Sequence, residues 1–137
     1  IYSSYLTLTN HITILQWQHY LQNKEEKMSK VVHYEGENLV DSLLDTVVSK
    51  EGVTVVDFFA TWCGPCRALG PVLDELSMEV DYKIVKADVD KYADIAAFYG
   101  VRSIPTLVIF KDGKPVETLI GGRSKEQLNE EVLKATK

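Results

Sequence analysis

Two cysteines in the middle of the chain have the clearest capacity for chemistry. Cys63 and Cys66 are separated only by Gly64 and Pro65, and the 137 residues hold no other cysteine. Two thiols at this spacing can close a disulfide across one helical turn, and the first lies where free N–H groups and the positive dipole end favour a thiolate. A thiolate is the nucleophile of thiol–disulfide exchange. The pattern therefore predicts Cys63 as the attacking thiol and Cys66 as the resolving thiol, with Pro65 restricting the backbone and Gly64 permitting close approach of a partner chain.

A zinc site and an inert cysteine pair are the alternatives for the same motif. A four-ligand zinc site needs two more ligands. The further candidates are His11, His19 and His33, which all precede the second predicted strand. This position disfavours a metal site, so we expect no metal and no bound cofactor. The redox group is then the cysteine pair itself.

The segments around the pair alternate between strand and helix patterns. Val53 to Ala60 is β-branched and aromatic, which predicts a buried strand, and Cys66 to Val80 has apolar residues on one helical face. The other predicted elements are strands at 30–34, 82–88, 106–110 and 115–120, and helices from Asn38 to Gly52, at 92–99 and after Ser124. The order βαβαβαββα predicts an α/β fold with a mixed central sheet covered by helices on both faces.

Two short motifs near the C-terminus predict local structure more sharply. Asp112-Gly113 between two apolar runs is typical of a two-residue hairpin turn. Ser124 followed by Gln127 has the form of a capping box and predicts the start of the last helix. The last two strands are therefore expected to pair antiparallel, with a helix closing the chain.

Several of these motifs together resemble the thioredoxin family. Residues 55–66, VVDFFATWCGPC, are similar to its active-site strand and loop, and residues 104–106, IPT, to its cis-proline loop. Residues 110–113, FKDG, and 120–122, IGG, resemble its terminal hairpin. The similarity runs in order over residues 30–137. It implies the thioredoxin fold and the activity of a protein dithiol–disulfide oxidoreductase. A C-x-x-C motif near a βαβ pattern is in general typical of such redox proteins.

The resemblance assigns roles to residues outside the cysteine pair. It implies that Asp57 is a buried acid that passes protons to and from the cysteines, and that Lys86 lies near it on the neighbouring strand. A buried unpaired carboxyl has a raised pKa, which suits proton transfer near neutral pH. The resemblance also implies a cis bond before Pro105, so that Ile104 and Thr106 offer backbone groups to a bound peptide.

A shallow apolar groove around Cys63 is the substrate site that the resemblance implies. An extended substrate strand could pair there. The groove is expected to consist of Trp62, Pro65, Ile104, Pro105, Ile120 and Gly121. Two positions depart from the common family pattern: Phe59 stands where many members have Trp, and Arg67 where many have Lys. We expect the first to alter packing rather than chemistry and the second to retain its positive charge.

Three classes of function follow from the motif. The first is a protein-disulfide reductant or electron carrier, re-reduced by thioredoxin reductase with electrons from NADPH, because the sequence has no Gly-rich nucleotide-binding loop of its own. Its implied substrates include peroxiredoxins, ribonucleotide reductase and methionine sulfoxide reductases. The second is a scaffold that binds a partner through the groove, which the intact cysteine pair disfavours. The third is an oxidase or isomerase of an oxidising compartment, which the Gly-Pro dipeptide disfavours.

Composition and the first 27 residues limit partners and location. A net charge of −5 argues against a nucleic-acid binder, and no apolar run is long enough to span a membrane. Residues 28–137 form the expected domain, which we expect to be monomeric. Residues 1–27 contain no Arg, Gly or Pro and are expected to be disordered or non-native, the alternatives being a short amphipathic docking helix and a targeting remnant. The expected location is cytoplasmic, or an organelle if residues 1–27 are a targeting remnant.

Overall fold

A mixed sheet of five strands forms the centre of the molecule. The structure is a computed structural model that describes residues 13–26 and 28–137. The strands are β1 (Val32–His33), β2 (Val53–Phe59), β3 (Lys83–Asp88), β4 (Thr106–Lys111) and β5 (Lys114–Ile120). Their order across the sheet is β1-β3-β2-β4-β5; the first three are parallel, and β4 and β5 are antiparallel to their neighbours. The predicted α/β architecture and strand order along the chain are confirmed.

Helices cover both faces of this sheet. They are α2 (Val40–Thr46), α3 (Gly64–Glu79), α4 (Ala93–Phe98) and α5 (Lys125–Ala135), and a further helix, α1 (Ile14–Glu26), precedes the sheet. One core cluster joins leucines of α3 and α5 to Val55 and Leu107 of the sheet. A second cluster joins α2 and α4 to Val56 and Phe58. Successive residues of β2 therefore enter different cores, as the two-residue repeat of a strand requires.

The central strand β2 places a carboxyl inside the molecule. Asp57 has the same parity as Val55, so it lies on the face that α3 and α5 cover. In the sheet it stands beside Lys86 of β3 and Leu107 of β4. The start of α3, which carries the cysteines, follows directly from the end of this strand. The sheet therefore directs both the acid and the thiols toward one end of the molecule.

The predicted helix from Asn38 to Gly52 is wrong at both ends. Helix α2 ends at Thr46, because the N–H groups of Val47 and Val48 both turn back to the carbonyl of Leu43. The turn buries Val48 in the core. Asn38 does not cap α2; its Oδ1 accepts hydrogen bonds from the N–H groups of Asp94 at 3.1 Å and Ile95 at 3.3 Å. It satisfies the first turn of α4, which lacks a side-chain cap of its own.

Replacing Asn38 with alanine should therefore destabilise the domain by about 1 kcal/mol, because two N–H groups of α4 lose their acceptor. Urea denaturation of the two proteins measures the difference. Glu37→Ala, at the exposed neighbouring position, is the matched control and should change the free energy of unfolding by less than about 0.5 kcal/mol. Equal losses in both variants would contradict the capping role of Asn38.

The two C-terminal motifs adopt their predicted structures. Asp112 and Gly113 have φ values of 52° and 83°, so both central residues of the hairpin turn are left-handed, as a type I′ turn requires. Ser124 Oγ accepts a hydrogen bond from the N–H of Gln127, and Gln127 Oε1 accepts one from the N–H of Ser124. Both signals are local in sequence, and both are confirmed.

Helix α1 has its own capping box and an exposed apolar surface. Thr13 Oγ1 accepts the N–H of Gln16 at 3.1 Å, and Gln16 Oε1 accepts the N–H of Thr13 at 2.8 Å. Ile14 and Leu15 are more than three quarters exposed, so they do not pack on the domain. Residues 1–12 and 27 lie outside the described residues, so the expectations for residues 1–27 as a whole stay predictions. No helix in the described part of the chain is long and apolar enough to cross a membrane.

Candidate functional site

The two cysteines lie at the N-terminus of α3 and are joined by a disulfide. Cys63 is the N-cap residue and Cys66 lies in the first turn, with 5.2 Å between their Cα atoms. The backbone N–H of Cys66 donates to Cys63 Sγ at 3.2 Å. Pro65 occupies the first turn, where its missing N–H removes no helical bond. The first sulfur thus stands at the positive end of a helix of 16 residues, which favours negative charge on it.

Exposure distinguishes the two sulfur-bearing residues. Cys63 is 5% exposed and Cys66 is 1% exposed. The residues beside Cys63 (Trp62, Gly64 and Pro65) are all exposed. A disulfide partner approaching from solvent therefore meets Cys63 first. This geometry supports the predicted division into an attacking and a resolving thiol.

Asp57 is a buried carboxyl without a hydrogen-bond partner. It is fully buried, and neither carboxyl oxygen has a partner among the described residues. Burial raises its pKa from 3.8 to about 7, because the charged form loses its hydration, while the charge of Lys86 acts weakly in the opposite direction. This direction agrees with the expectation from the sequence, and the role of Asp57 in proton transfer stays a prediction. A group that titrates near neutral pH can both accept and return a proton.

The Lys86 side chain lies over the ring of Phe59, the position where many family members have Trp. Its Nζ lies 4.3 Å from the centroid of Phe59, in a cation–π arrangement. In the sheet Lys86 stands directly beside Asp57. The structure therefore places Lys86 near the buried acid, as the family resemblance implied. Its catalytic role stays a prediction.

The loop before β4 brings a proline and a carbonyl next to the disulfide. The Ile104–Pro105 bond is cis, as predicted. Ile104 O lies 3.8 Å from Cys63 Sγ, so one edge of the loop faces the sulfur. Pro105 O accepts the N–H of Gly121 at 2.8 Å, which ties the loop to the end of β5. Pro105 and Thr106 are buried, and Thr106 Oγ1 donates to Ser103 O.

The predicted substrate groove has exposed residues on two sides and a buried base. Trp62 and Ile120 are each 66% exposed, which is unusual for large apolar side chains. Ile104 and Gly121 are half-buried, and Pro105 is buried. Contacts join Ile104 to Cys63 and Pro105 to Gly121, while Asp57 lies beside Lys86 in the sheet. The binding of substrate at each of the predicted substrate-binding residues stays a prediction.

Two residues that sequence reasoning missed hold the sides of the groove. Asp90 Oδ2 accepts the indole N–H of Trp62 at 2.9 Å. Arg123 Nη2 donates to Ile120 O at 2.8 Å and its Nη1 pairs with Glu131. Asp90 and Arg123 are charged residues in loops, and no local pattern in the sequence distinguishes them from solvated surface groups.

Replacing Asp90 with alanine should release the Trp62 indole. In a Trp17→Phe background Trp62 is the only tryptophan, and its fluorescence should become more accessible to acrylamide. The stability loss should stay below about 1 kcal/mol because the bond is exposed. Lys91→Ala, at the next exposed position, is the control and should leave the quenching unchanged. Identical quenching in the Asp90 variant would show that the hydrogen bond does not fix the indole.

The described residues contain no group of three or more His, Cys, Asp or Glu side chains that could hold a metal ion. Similarity to known proteins identifies the family to which the chain belongs. The thioredoxin family model matches residues 30–134. The chain belongs to the thioredoxin family.

Individual relatives agree with this membership. The thioredoxin of Staphylococcus epidermidis is 50% identical over 94 residues, which cover 67% of this chain and 89% of that protein. The crystal structure of thioredoxin NaTrxh from Nicotiana alata superposes with a TM-score of 0.70 at 37% identity, over 80% of this chain and 95% of that one.

A second similar structure concerns thiol chemistry directly. It describes the thiol-resolving mechanism in yeast mitochondrial 1-Cys peroxiredoxin via glutathione and thioredoxin systems. Its matching chain has a TM-score of 0.67 at 29% identity, over 77% of this chain and 98% of that one. Family membership makes the Cys63–Cys66 pair a redox-active disulfide and the chain a protein disulfide oxidoreductase.

Proposed function

We propose that the chain reduces disulfides in target proteins, with Cys63 as the attacking thiol and Cys66 as the resolving thiol. The observation that carries this proposal is the position of Cys63. Its sulfur accepts an N–H at the start of α3 and lies beside an exposed apolar groove. A helix N-terminus favours the thiolate, and the groove gives a polypeptide substrate access to it.

The reaction conserves electrons through two exchange steps. The Cys63 thiolate attacks one sulfur of the substrate disulfide, a new S–S bond forms, and the other substrate sulfur leaves as a thiolate that takes a proton. Cys66 then loses its proton and attacks Cys63 Sγ, which breaks the mixed disulfide and releases the second substrate thiol. The substrate gains two electrons and two protons, and the protein dithiol becomes the disulfide.

Asp57 is the proposed base for the second step. Asp57 is buried on the sheet face that α3 covers, and Cys66 is one of the buried residues of α3, which supports this role. Its pKa of about 7 lets it exist in both protonation states at neutral pH. We assign Lys86 an electrostatic role, because its charge favours the ionised form of Asp57. The assignment of Asp57 is tested by substitution.

Electrons for renewed cycles are proposed to come from NADPH through a separate thioredoxin reductase. The substrate class is disulfide-containing proteins, and the peroxiredoxin system in one of the similar structures supports peroxiredoxins as members of it. Ribonucleotide reductase and methionine sulfoxide reductases are further substrates by resemblance. We propose a monomer that binds no nucleic acid and no membrane.

NADPH-coupled reduction of insulin tests this function. The full chain, a thioredoxin reductase and insulin are combined, and NADPH oxidation and insulin precipitation are followed. Rapid NADPH consumption that depends on the chain supports both the reductive direction and the reductase partner. Insulin reduction with dithiothreitol but none with reductase would leave the disulfide chemistry intact and overturn the proposed electron donor.

The segment ahead of Met28 is proposed to be dispensable for this activity. The family match begins at residue 30, and the described side chains of α1 are exposed rather than packed on the domain. A chain that starts at Met28 should reduce insulin within about twofold of the full chain's rate, because it retains all the groups used in exchange. A rate more than tenfold higher in the shorter chain would instead assign residues 1–27 a covering role.

We propose a cytoplasmic location, because a protein that donates electrons to disulfides works where thiols are kept reduced. An organelle is the alternative location if residues 1–27 are a targeting remnant. Fusing residues 1–27 to a fluorescent reporter separates the two possibilities: diffuse fluorescence agrees with the proposal, and accumulation in an organelle overturns it.

A further inference from the structure

An apolar crevice lies next to the substrate groove, between α3 and the loop that joins β5 to α5. It has a volume of about 210 Å³ and an almost wholly apolar lining. It is lined by Pro65, Ala68, Leu69, Val72, Gly122 and Arg123. This volume is below the range of about 300–1,000 Å³ typical of small-molecule pockets, and therefore suits one side chain rather than a cofactor.

The crevice is continuous with the site of disulfide exchange. Pro65 belongs to both, since it lines the crevice and lies between the two cysteines. On the opposite wall, Gly122 directly follows Gly121, whose N–H binds the carbonyl of Pro105. Ile104 precedes Pro105 in the chain, and its carbonyl oxygen faces Cys63 Sγ. A peptide whose disulfide lies over Cys63 therefore has the crevice beside it.

Arg123 gives this crevice a fixed wall and a charge preference. Its side chain is 17% exposed and is held by Glu131 and by the carbonyl of Ile120. Its buried Nε has no partner among the described residues. An apolar side chain can enter without disturbing these bonds. A cationic side chain in the crevice would lose its hydration next to the Arg123 guanidinium. The Glu131 carboxylate is already paired with Arg123 and cannot neutralise a second cation, so binding a cation there is costly.

We propose that this crevice is a specificity subsite that takes one large, uncharged apolar side chain, of the size of Leu, Ile or Met, flanking the reactive cysteine of the substrate. The proposal rests on the disulfide reduction proposed above and deepens it by naming the class of substrate. The chain then prefers disulfides with an apolar neighbour over disulfides with a Lys or Arg at the same position.

Disulfide-linked peptide dimers test this preference. Each peptide has one cysteine in a Gly/Ser background, with Leu or Lys at one of the two positions on either side. The full chain is reduced with dithiothreitol, freed of excess reductant and mixed with each dimer, and second-order rate constants are measured by quenched-flow thiol labelling. At one of the four positions the Leu peptide should react about tenfold faster or more, the effect of a modest apolar contact. No reductase is needed.

Two substitutions at the exposed mouth of the crevice identify the site of discrimination. Ala68→Phe fills the crevice. It should bring the ratio of the rate constants for the Leu and Lys peptides to about 1. Ala68→Glu places a carboxylate there and should shift the preference toward Lys, and it keeps the test valid if the Phe variant folds poorly. The matched control is Ala97→Phe on α4, an exposed position that lines no part of the crevice and should keep the original ratio.

Each outcome separates the subsite from the underlying function. Equal rates for Leu and Lys peptides at all four positions, with hydroxyethyl disulfide reduced normally, would overturn the subsite and leave disulfide reduction standing. The same ratio in the Ala68 variants as in Ala97→Phe would also overturn it, because discrimination would then arise elsewhere. Failure to reduce hydroxyethyl disulfide as well as the peptides would overturn both proposals.

Discussion

Cys63→Ser should lower the rate of insulin reduction by more than about a thousandfold, because the hydroxyl of serine cannot serve as the thiolate nucleophile. Cys63 is also the N-cap of α3, and its sulfur accepts a hydrogen bond from the helix. Serine is a good N-cap residue and should preserve the start of the helix. The loss of activity is therefore expected without a comparable loss of stability, which thermal denaturation of the disulfide-free variant against the reduced chain will show.

Cys66→Ser should also abolish turnover, but this variant should stop at the mixed disulfide with substrate. Cys63 remains able to attack a substrate, and the mixed disulfide then persists because no second thiol resolves it. Mass spectrometry after mixing with a peptide disulfide should show the Cys66 variant carrying one peptide, while the Cys63 variant carries none. The two variants are matched controls for each other, since each removes one sulfur from the same turn of helix. The reverse pattern would contradict the assignment of roles.

The fold was predictable where the signals are local. The buried strand around Val55, the hairpin at Asp112-Gly113 and the capping box at Ser124 each rest on a few neighbouring residues, and the structure confirms all three. The cysteine pair was predictable for the same reason, since its chemistry follows from spacing and from its place between a strand and a helix. Asp57 stood out because a carboxylate interrupts an apolar strand.

Interactions between distant segments were not predictable. Asn38 has the type and position of a local N-cap, yet it caps α4, whose first turn is 56 residues further along the chain. Asp90 and Trp62 are 28 residues apart in sequence, and their contact requires the turn after β3 to approach the start of α3. Arg123 likewise gains its position from Glu131 on the next helix. A single sequence contains the residue types in such pairs but not the tertiary arrangement that joins them.

Asp57→Asn should make the folded domain more stable at alkaline pH. The carboxyl has a pKa of about 7 when folded and 3.8 when exposed, so between these values the folded state binds more protons than the unfolded state. The stabilising effect of its proton is present in full below about pH 4 and is lost as the pH rises to about 7. Above that pH the ionised group costs the folded state about 4 kcal/mol.

The neutral asparagine avoids the cost of ionisation but introduces an amide with no partner ready for it. The variant should therefore gain about 2–4 kcal/mol over the parent at pH 8 and lose up to about 2 kcal/mol at pH 4. Urea denaturation across this range measures the difference between the two curves. Asp45→Asn, an exposed position on α2, is the control and should run parallel to the parent. Parallel curves for the Asp57 variant would mean that the buried carboxyl does not titrate in this window.

The same substitution should slow the release of substrate from the mixed disulfide. Without Asp57, Cys66 must lose its proton to water or hydroxide, and the rate should fall by about ten- to a hundredfold at pH 7, at or below the lower end of general acid–base contributions. In the parent this rate should follow an apparent pKa near 7, and the variant should lose that inflection. A merely structural role for Asp57 would lower the rate equally at every pH. Gain of stability together with loss of the inflection would therefore show that this buried acid is retained for proton transfer although it destabilises the fold.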